Sequence, residues 1–164
     1  MRNKFIFNLK EKDDFFRKLV FFSEKYKYFC LLDSNSSENS VPDKYFEYDF
    51  ICAFDAIETL SSCDNSILKV KNLHSKFNDW MFGYLSYDLK DEFFNLSSKG
   101  IDNLNSDHIS FFIPKHVMFV KDNQLEVLTH NNKESITSLI NQISNYNCNE
   151  QKINNIAFKA RESK

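Results

Sequence analysis

The chain has 164 residues and a formal net charge of −2, which suits one domain burying about 68–70% of its unfolded surface. That near-neutral balance carries no electrostatic footprint for nucleic acid or an anionic membrane. The first residues, Met1-Arg2-Asn3-Lys4-Phe5, open no apolar run long enough for a signal peptide or a membrane span.

Residues 5–9 read as a short first strand. A helix is predicted over about 11–24, where Phe15, Leu19 and Phe22, with Phe16 and Val20, make an apolar stripe behind Asp13 and Asp14. Residues 26–32 form an apolar, aromatic run expected to be a buried strand, and a polar loop follows through Pro42 and Asp43. Residues 48–57 read as a further strand. Ser66 is a candidate cap for a helix to about Asn78, with Ile67, Val70, His74 and Phe77 on one side, Leu73 adjacent, and a partly buried His74 expected there.

The stretch Trp80-Met81-Phe82-Gly83-Tyr84-Leu85-Ser86-Tyr87-Asp88 holds the only tryptophan and one of two glycines. As a strand it is apolar or aromatic on both faces, so it is predicted to be a central strand covered on both sides. Its glycine marks a bulge or the close approach of another backbone or a ligand. Asp88 is the predicted cap of a short helix, with Asp91 and Glu92 in its first turn. Residues 96–107 read as a loop. Phe111-Phe112-Ile113-Pro114 is expected to break into a strand at 117–120, joined as a hairpin to 125–129 through Lys121-Asp122-Asn123-Gln124. Asn131 and Glu134 suggest a capping box for a helix whose apolar face is Ile136, Leu139, Ile140 and Ile143. The chain turns polar after Tyr146 and resumes at 153–160.

Chemistry is sparsely signalled. The four cysteines, Cys30, Cys52, Cys63 and Cys148, form no CxxC pair and no zinc spacing, and a reduced cytoplasmic compartment is expected. There is no G-x-S-x-G, no H-E-x-x-H, and two glycines exclude a glycine-rich phosphate loop. Eighteen phenylalanines among abundant Lys and Asn fit codon bias, so they are not read as a binding surface. The best candidate is Leu31-Leu32-Asp33-Ser34, an acid and a hydroxyl where a buried strand opens into a loop. Two readings stand side by side. Asp33 and Ser34 close the strand as an Asx or Ser turn, or they hold the polar end of a ligand whose ring sits among nearby aromatic strands.

Phe82-Gly83-Tyr84-Leu85-Ser86-Tyr87-Asp88-Leu89-Lys90 resembles a signature of the N-terminal domain of chorismate-utilising enzymes, and is nearest to the large component of aminodeoxychorismate synthases. Leu31-Leu32-Asp33-Ser34 resembles the family's leucine-leucine-glutamate-serine strand end beside its tryptophan pocket, with Asp33 in place of the glutamate. Lys44 is the candidate for the pocket's basic residue. Phe112-Ile113-Pro114 and the final Phe158-Lys159-Ala160-Arg161-Glu162-Ser163-Lys164 are also similar to the family.

The resemblance implies an α+β fold, a mostly antiparallel two-sheet β-sandwich with flanking helices. It implies an N-terminal domain over 1–158 and the start of a link to a catalytic domain over 159–164. The whole enzyme would aminate chorismate for p-aminobenzoate and folate synthesis, with ammonia from a glutamine amidotransferase subunit and magnesium in the catalytic domain. The site residues it implies here are Leu32, Asp33, Ser34 and Lys44, around a tryptophan-like ligand. No catalytic residue and no cofactor are assigned to this chain. The alternatives are the anthranilate synthase large component, with tryptophan as a feedback ligand, and a stand-alone non-catalytic binding module.

Overall fold

A computed structural model describes residues 1–34, 47–94 and 106–148. Two long strands form its spine, β3 (Phe50–Ser62) and β5 (Ile109–Lys121), paired antiparallel along their length. Five strands run in the order β1-β6-β5-β3-β2, with β1 spanning Asn3–Asn8, β2 Phe29–Asp33 and β6 Gln124–Thr129. The sixth, β4 (Phe82–Leu85), pairs with β5. All pairings are antiparallel.

The spine divides at a bulge. Ala56 pairs with Pro114, but Glu58 already pairs with Ile113, so Ile57 is an extra residue. Asp55 takes the left-handed φ of 62° just before it. Proline has no N–H to donate, and strands tolerate it only at edges or bulges. The break expected at Pro114 is therefore a dislocation inside one continuous strand. Past it the partners of β5 change: 116–121 pair with β6, and 109–112 pair with β4.

Alternation along the strands sorts the side chains onto two faces. One face carries Phe50, Cys52, Phe54, Met118, Val120, Leu125 and Val127. Helices α1 (Lys12–Phe22) and α4 (Lys133–Ser144) pack there through Phe15, Leu19, Phe22, Ile136, Ile140 and Ile143. Both helical stripes are as their spacing predicts, except that Val20 lies exposed. The cap of α4 is Asn132, not Asn131: its side chain accepts from the Ser135 amide at 2.9 Å. The hairpin turns through Asp122 and Asn123, with Asp122 at the positive φ (53°) that tight hairpin turns require.

The opposite face carries Ala53, Phe82, Phe112, Val117 and Phe119. Among the described residues no helix layer like α1 and α4 covers it, and it holds the grooves described below. Helix α2 (Ser66–Phe77) buries only Ser66 and Leu73, and His74 is exposed rather than partly buried, because α2 lies on the sheet loosely. Asn65, in a left-handed conformation, precedes its first turn, and Ser66 is the first helical residue rather than the cap.

The aromatic segment 80–88 is corrected most. It is not covered on both faces: among the described residues β4 pairs only with β5, only its Phe82 is buried, and Gly83, Tyr84 and Leu85 are exposed. Asp88 does not cap α3 (Lys90–Phe94), because it lies within a 3-10 turn, Tyr87–Leu89, that Ser86 precedes. The glycine expectation holds in its second form. A Cβ on Gly83 would collide with the Ser110 carbonyl oxygen and come within 2.7 Å of the Phe111 Cα. The final stretch, 153–160, and the link at 159–164 lie outside the described residues.

Gly83→Ala is expected to lower stability by about 1–3 kcal/mol through that overpacking. Urea unfolding checks the loss. Faster hydrogen exchange at the Ser86 amide, which donates to the His108 carbonyl at 2.8 Å, locates it at the β4–β5 junction.

Candidate functional site

A groove of about 640 Å³ opens where β2 ends, within the size range of small-molecule sites. Leu32, Asp33 and Ser34 form one side. Glu47 and Tyr48 before β3, Ile51 of β3, Phe119 of β5, Glu126 and Leu128 of β6, and Trp80 complete it. Strand pairing makes this neighbourhood: Leu32 pairs with Ile51, and Ile51 with Phe119. The three therefore share one face of adjacent strands.

The rings are mutually packed. Tyr48 lies 5.0 Å from Phe119 between ring centres, and Trp80 meets Phe119 edge-on at 5.4 Å. Such contacts hold a wall in place beyond the area they bury. The described lining carries three carboxylates, Asp33, Glu47 and Glu126, and no Lys, Arg or His. Lys4 reaches Glu126 from the neighbouring strand at 2.7 Å. Burial, and then the charge of Glu47, raises the Tyr48 hydroxyl above its ordinary pKa. The arrangement suits an ammonium group joined to an apolar or aromatic body.

Asp49 anchors the rim. Its carbonyl accepts from the Ser34 amide at 2.9 Å, and its amide donates to Val120 O at 2.8 Å. Its carboxylate accepts from the Asp122 amide at 2.6 Å and pairs with Lys12 at 3.0 Å. One residue thus ties the end of β2 to the β5–β6 turn and the start of α1. Lys44 lies outside the described residues.

Trp80 is positioned from behind. Asp79 accepts from the Trp80 amide at 2.8 Å and from Arg2 Nε at 2.7 Å. The nearly buried Arg2 guanidinium also donates to the carbonyls of Pro114, Lys115 and Leu128. His130 Nε2 stands 3.3 Å from the other Asp79 oxygen. Burial pushes the Asp79 carboxyl up, but Arg2, the Trp80 amide and His130 outweigh it and hold it below the ordinary range. A smaller hollow of about 580 Å³ lies against these residues, with Trp80 and Leu128 as the wall it shares with the groove. Sequence reasoning missed the roles of Tyr48, Glu126 and Arg2. The lone tryptophan beside an aspartate was the available signal for Trp80.

Two clusters elsewhere look chemical and are structural. The Ser66 amide and hydroxyl both donate to Glu92, whose Oε1 also lies 3.0 Å from His108 Nδ1. The carboxylate sits between serine and histidine, so the histidine has no contact through which to activate the hydroxyl. Glu92 instead caps the N-terminus of α2, which Asn65 leaves without a side-chain cap. His116 is buried on the helix-covered face, 2.9 Å from Thr129 Oγ1, with its ring tilted against that of Phe54 at 5.2 Å between centres. Burial lowers its pKa from 6.5 to about 4, against the opposing pull of Asp55. Among the described residues, no three His, Cys, Asp or Glu side chains converge to hold a metal. Cys30, Cys52, Cys63 and Cys148 are all free thiols. No described helix is long and apolar enough to cross a membrane.

Compared with known proteins, the sequence matches no family model and no curated protein.

His116 sets a pH dependence of stability. Between pH 6.5 and 4 the unfolded chain takes up a proton that the folded chain refuses, so this contribution is complete above pH 6.5 and is lost as pH falls towards 4. The loss amounts to about 3 kcal/mol. His116→Gln is expected to remove that slope in urea titrations across this window.

Proposed function

We propose that this chain is the N-terminal, non-catalytic domain of a chorismate-utilising enzyme of the aminodeoxychorismate synthase type, and that its groove receives an aromatic amino acid such as tryptophan. One observation carries the reading. Leu32, Asp33 and Ser34, at the strand end that resembles the family's pocket, line the same groove as Trp80, Tyr48 and Phe119. In this reading the ligand's ammonium meets Asp33, its ring lies on the aromatic wall, and the Ser34 hydroxyl, with Lys44 as the resemblance suggests, meets its carboxylate.

The finer fold belongs to the same proposal. The bulge at Asp55–Glu58 opposite Pro114 is where the sheet turns, since bulges bend strands and strengthen twist. The β4 lobe beyond it then contributes to the second layer of a sandwich. The amination of chorismate, its ammonia-supplying amidotransferase subunit and its magnesium belong to the whole enzyme, and no step of that chemistry is assigned to residues described here.

Calorimetry with L-tryptophan is expected to show saturable binding that Asp33→Asn and Ser34→Ala each weaken about tenfold. Leu68→Lys, on the exposed side of α2, is expected to leave binding unchanged. Absence of saturable heat with any aromatic amino acid, or indifference to both groove variants, rules the pocket out. Turnover of chorismate with ammonia by the 164-residue chain would overturn the non-catalytic role.

A further inference from the structure

We propose that His130, acting through Asp79, is a proton-operated latch on Trp80, so that the groove holds its ligand more tightly as pH falls from about 8 to about 5.5; this rests on the groove taking a ligand as proposed above.

Trp80 is a partition with space on both sides. With Leu128 it separates the groove of about 640 Å³ from the hollow of about 580 Å³. Its ring meets Phe119 edge-on at 5.4 Å and stacks on Phe82 at 6.2 Å. The residue is still 47% exposed, so the indole has room to swing into the hollow and widen the groove. Such a swing removes part of the aromatic wall on which a ligand ring would lie.

Asp79 holds the Trp80 backbone, and its two oxygens are unequally used. Oδ1 accepts from Arg2 Nε at 2.7 Å and from the Trp80 amide at 2.8 Å. Oδ2 has one contact among the described residues, His130 Nε2 at 3.3 Å. An ordinary N–H···O bond is about 2.9–3.0 Å long, and one from a charged imidazolium to a carboxylate about 2.7–2.9 Å. The contact therefore has room to shorten when the imidazole gains a proton. Arg2 is fixed meanwhile, because its guanidinium also donates to the carbonyls of Pro114, Lys115 and Leu128. A charged His130 clamps the carboxylate against Arg2, and the Trp80 amide is held with it.

The other charges around His130 come from four elements. Met1, with its amino group, and Arg2 line the same hollow from the start of the chain. β5 brings Lys115, paired with Asp55 of β3 at 3.3 Å, and His116, whose burial lowers its pKa to about 4 and keeps it neutral over this range. α2 brings Lys76, paired with Glu58 at 3.1 Å, and His74, which lines an adjoining hollow with Asp79 and Trp80. His74 is therefore the histidine to control for, since histidine is the side chain that ordinarily changes charge between about pH 5 and 8.

Trp80 is the only tryptophan, so its fluorescence reads the wall without a ligand. A charge beside a fixed indole alters its emission but not its exposure to a neutral quencher. Acrylamide quenching of the 164-residue chain is expected to weaken from about pH 8 to about pH 5.5. His130→Gln is expected to abolish that change and His74→Gln to keep it, with circular dichroism checking the fold at both pH values. Quenching that does not vary with pH, or a change that survives His130→Gln, overturns the latch. Calorimetry with L-tryptophan is expected to show about fivefold tighter binding at the lower pH in the wild type and in His74→Gln, and equal affinity at both in His130→Gln. Equal wild-type affinity at the two pH values overturns the proposal. Absence of saturable heat at both overturns it by way of the groove reading, and a His130-dependent quenching change alongside identifies that reading, not the latch, as what failed.

Discussion

The antiparallel pairing of β3 with β5 positions everything else in this structure. The two strands are thirteen residues each, and every other described strand attaches to one of them or to the hairpin partner of β5. One face of their paired halves accepts α1 and α4 and becomes the dry core. The other supplies Ile51 and Phe119 to the groove. Without that pairing, Leu32 and Trp80 would have no common wall to line.

The dislocation in the spine explains how one sheet serves two purposes. A regular ladder would let β6 run the full length of β5. The extra residue at Ile57, with Pro114 opposite, ends that register and leaves 109–112 to β4. Arg2 stabilises the same place, since its guanidinium covers the carbonyls of Pro114, Lys115 and Leu128 while holding Asp79. A buried arginine is costly unless its donors are used, and here its bonds go to the irregular backbone and to the acid that orients Trp80. The position of the groove's tryptophan therefore depends on an interaction some 80 positions away in sequence.

Charge and shape narrow what the groove can take. Its described lining is aromatic or aliphatic apart from Ser34 and three carboxylates. The one described cation that reaches this lining, Lys4, is paired with Glu126, so an anion meets net negative charge there, whereas an ammonium on an aromatic body meets complementary surface at both ends. Asp49 fixes the rim on which Asp33 and Ser34 stand by bonding two strand ends and a turn at once. Such a rim is held in place before any ligand arrives, which reduces the ordering cost of binding.

Local rules were legible in the sequence. The 3.6-residue stripes of α1 and α4 produced buried Phe15, Leu19, Ile136 and Ile140, because a helix so patterned has only one way to bury its apolar side. The 121–124 hairpin followed from turn chemistry, and the acid and hydroxyl at Asp33 and Ser34 could be singled out before any groove was visible. The 80–88 segment misled, because aromatic composition on both faces resembles burial on both faces, whereas only pairing decides whether a strand is central or at an edge. Gly83 is the partial exception, since the lack of a side chain did announce a close neighbour without saying it would be Ser110. By itself the sequence determined where the long helices fall and which face of α1 and α4 is buried, since those depend on near neighbours along the chain. Tertiary structure alone decided that β4 pairs with β5 and leaves Gly83, Tyr84 and Leu85 exposed, that Arg2 reaches Asp79, and that Trp80 and Leu32 line one groove, because each depends on the non-local register between strands.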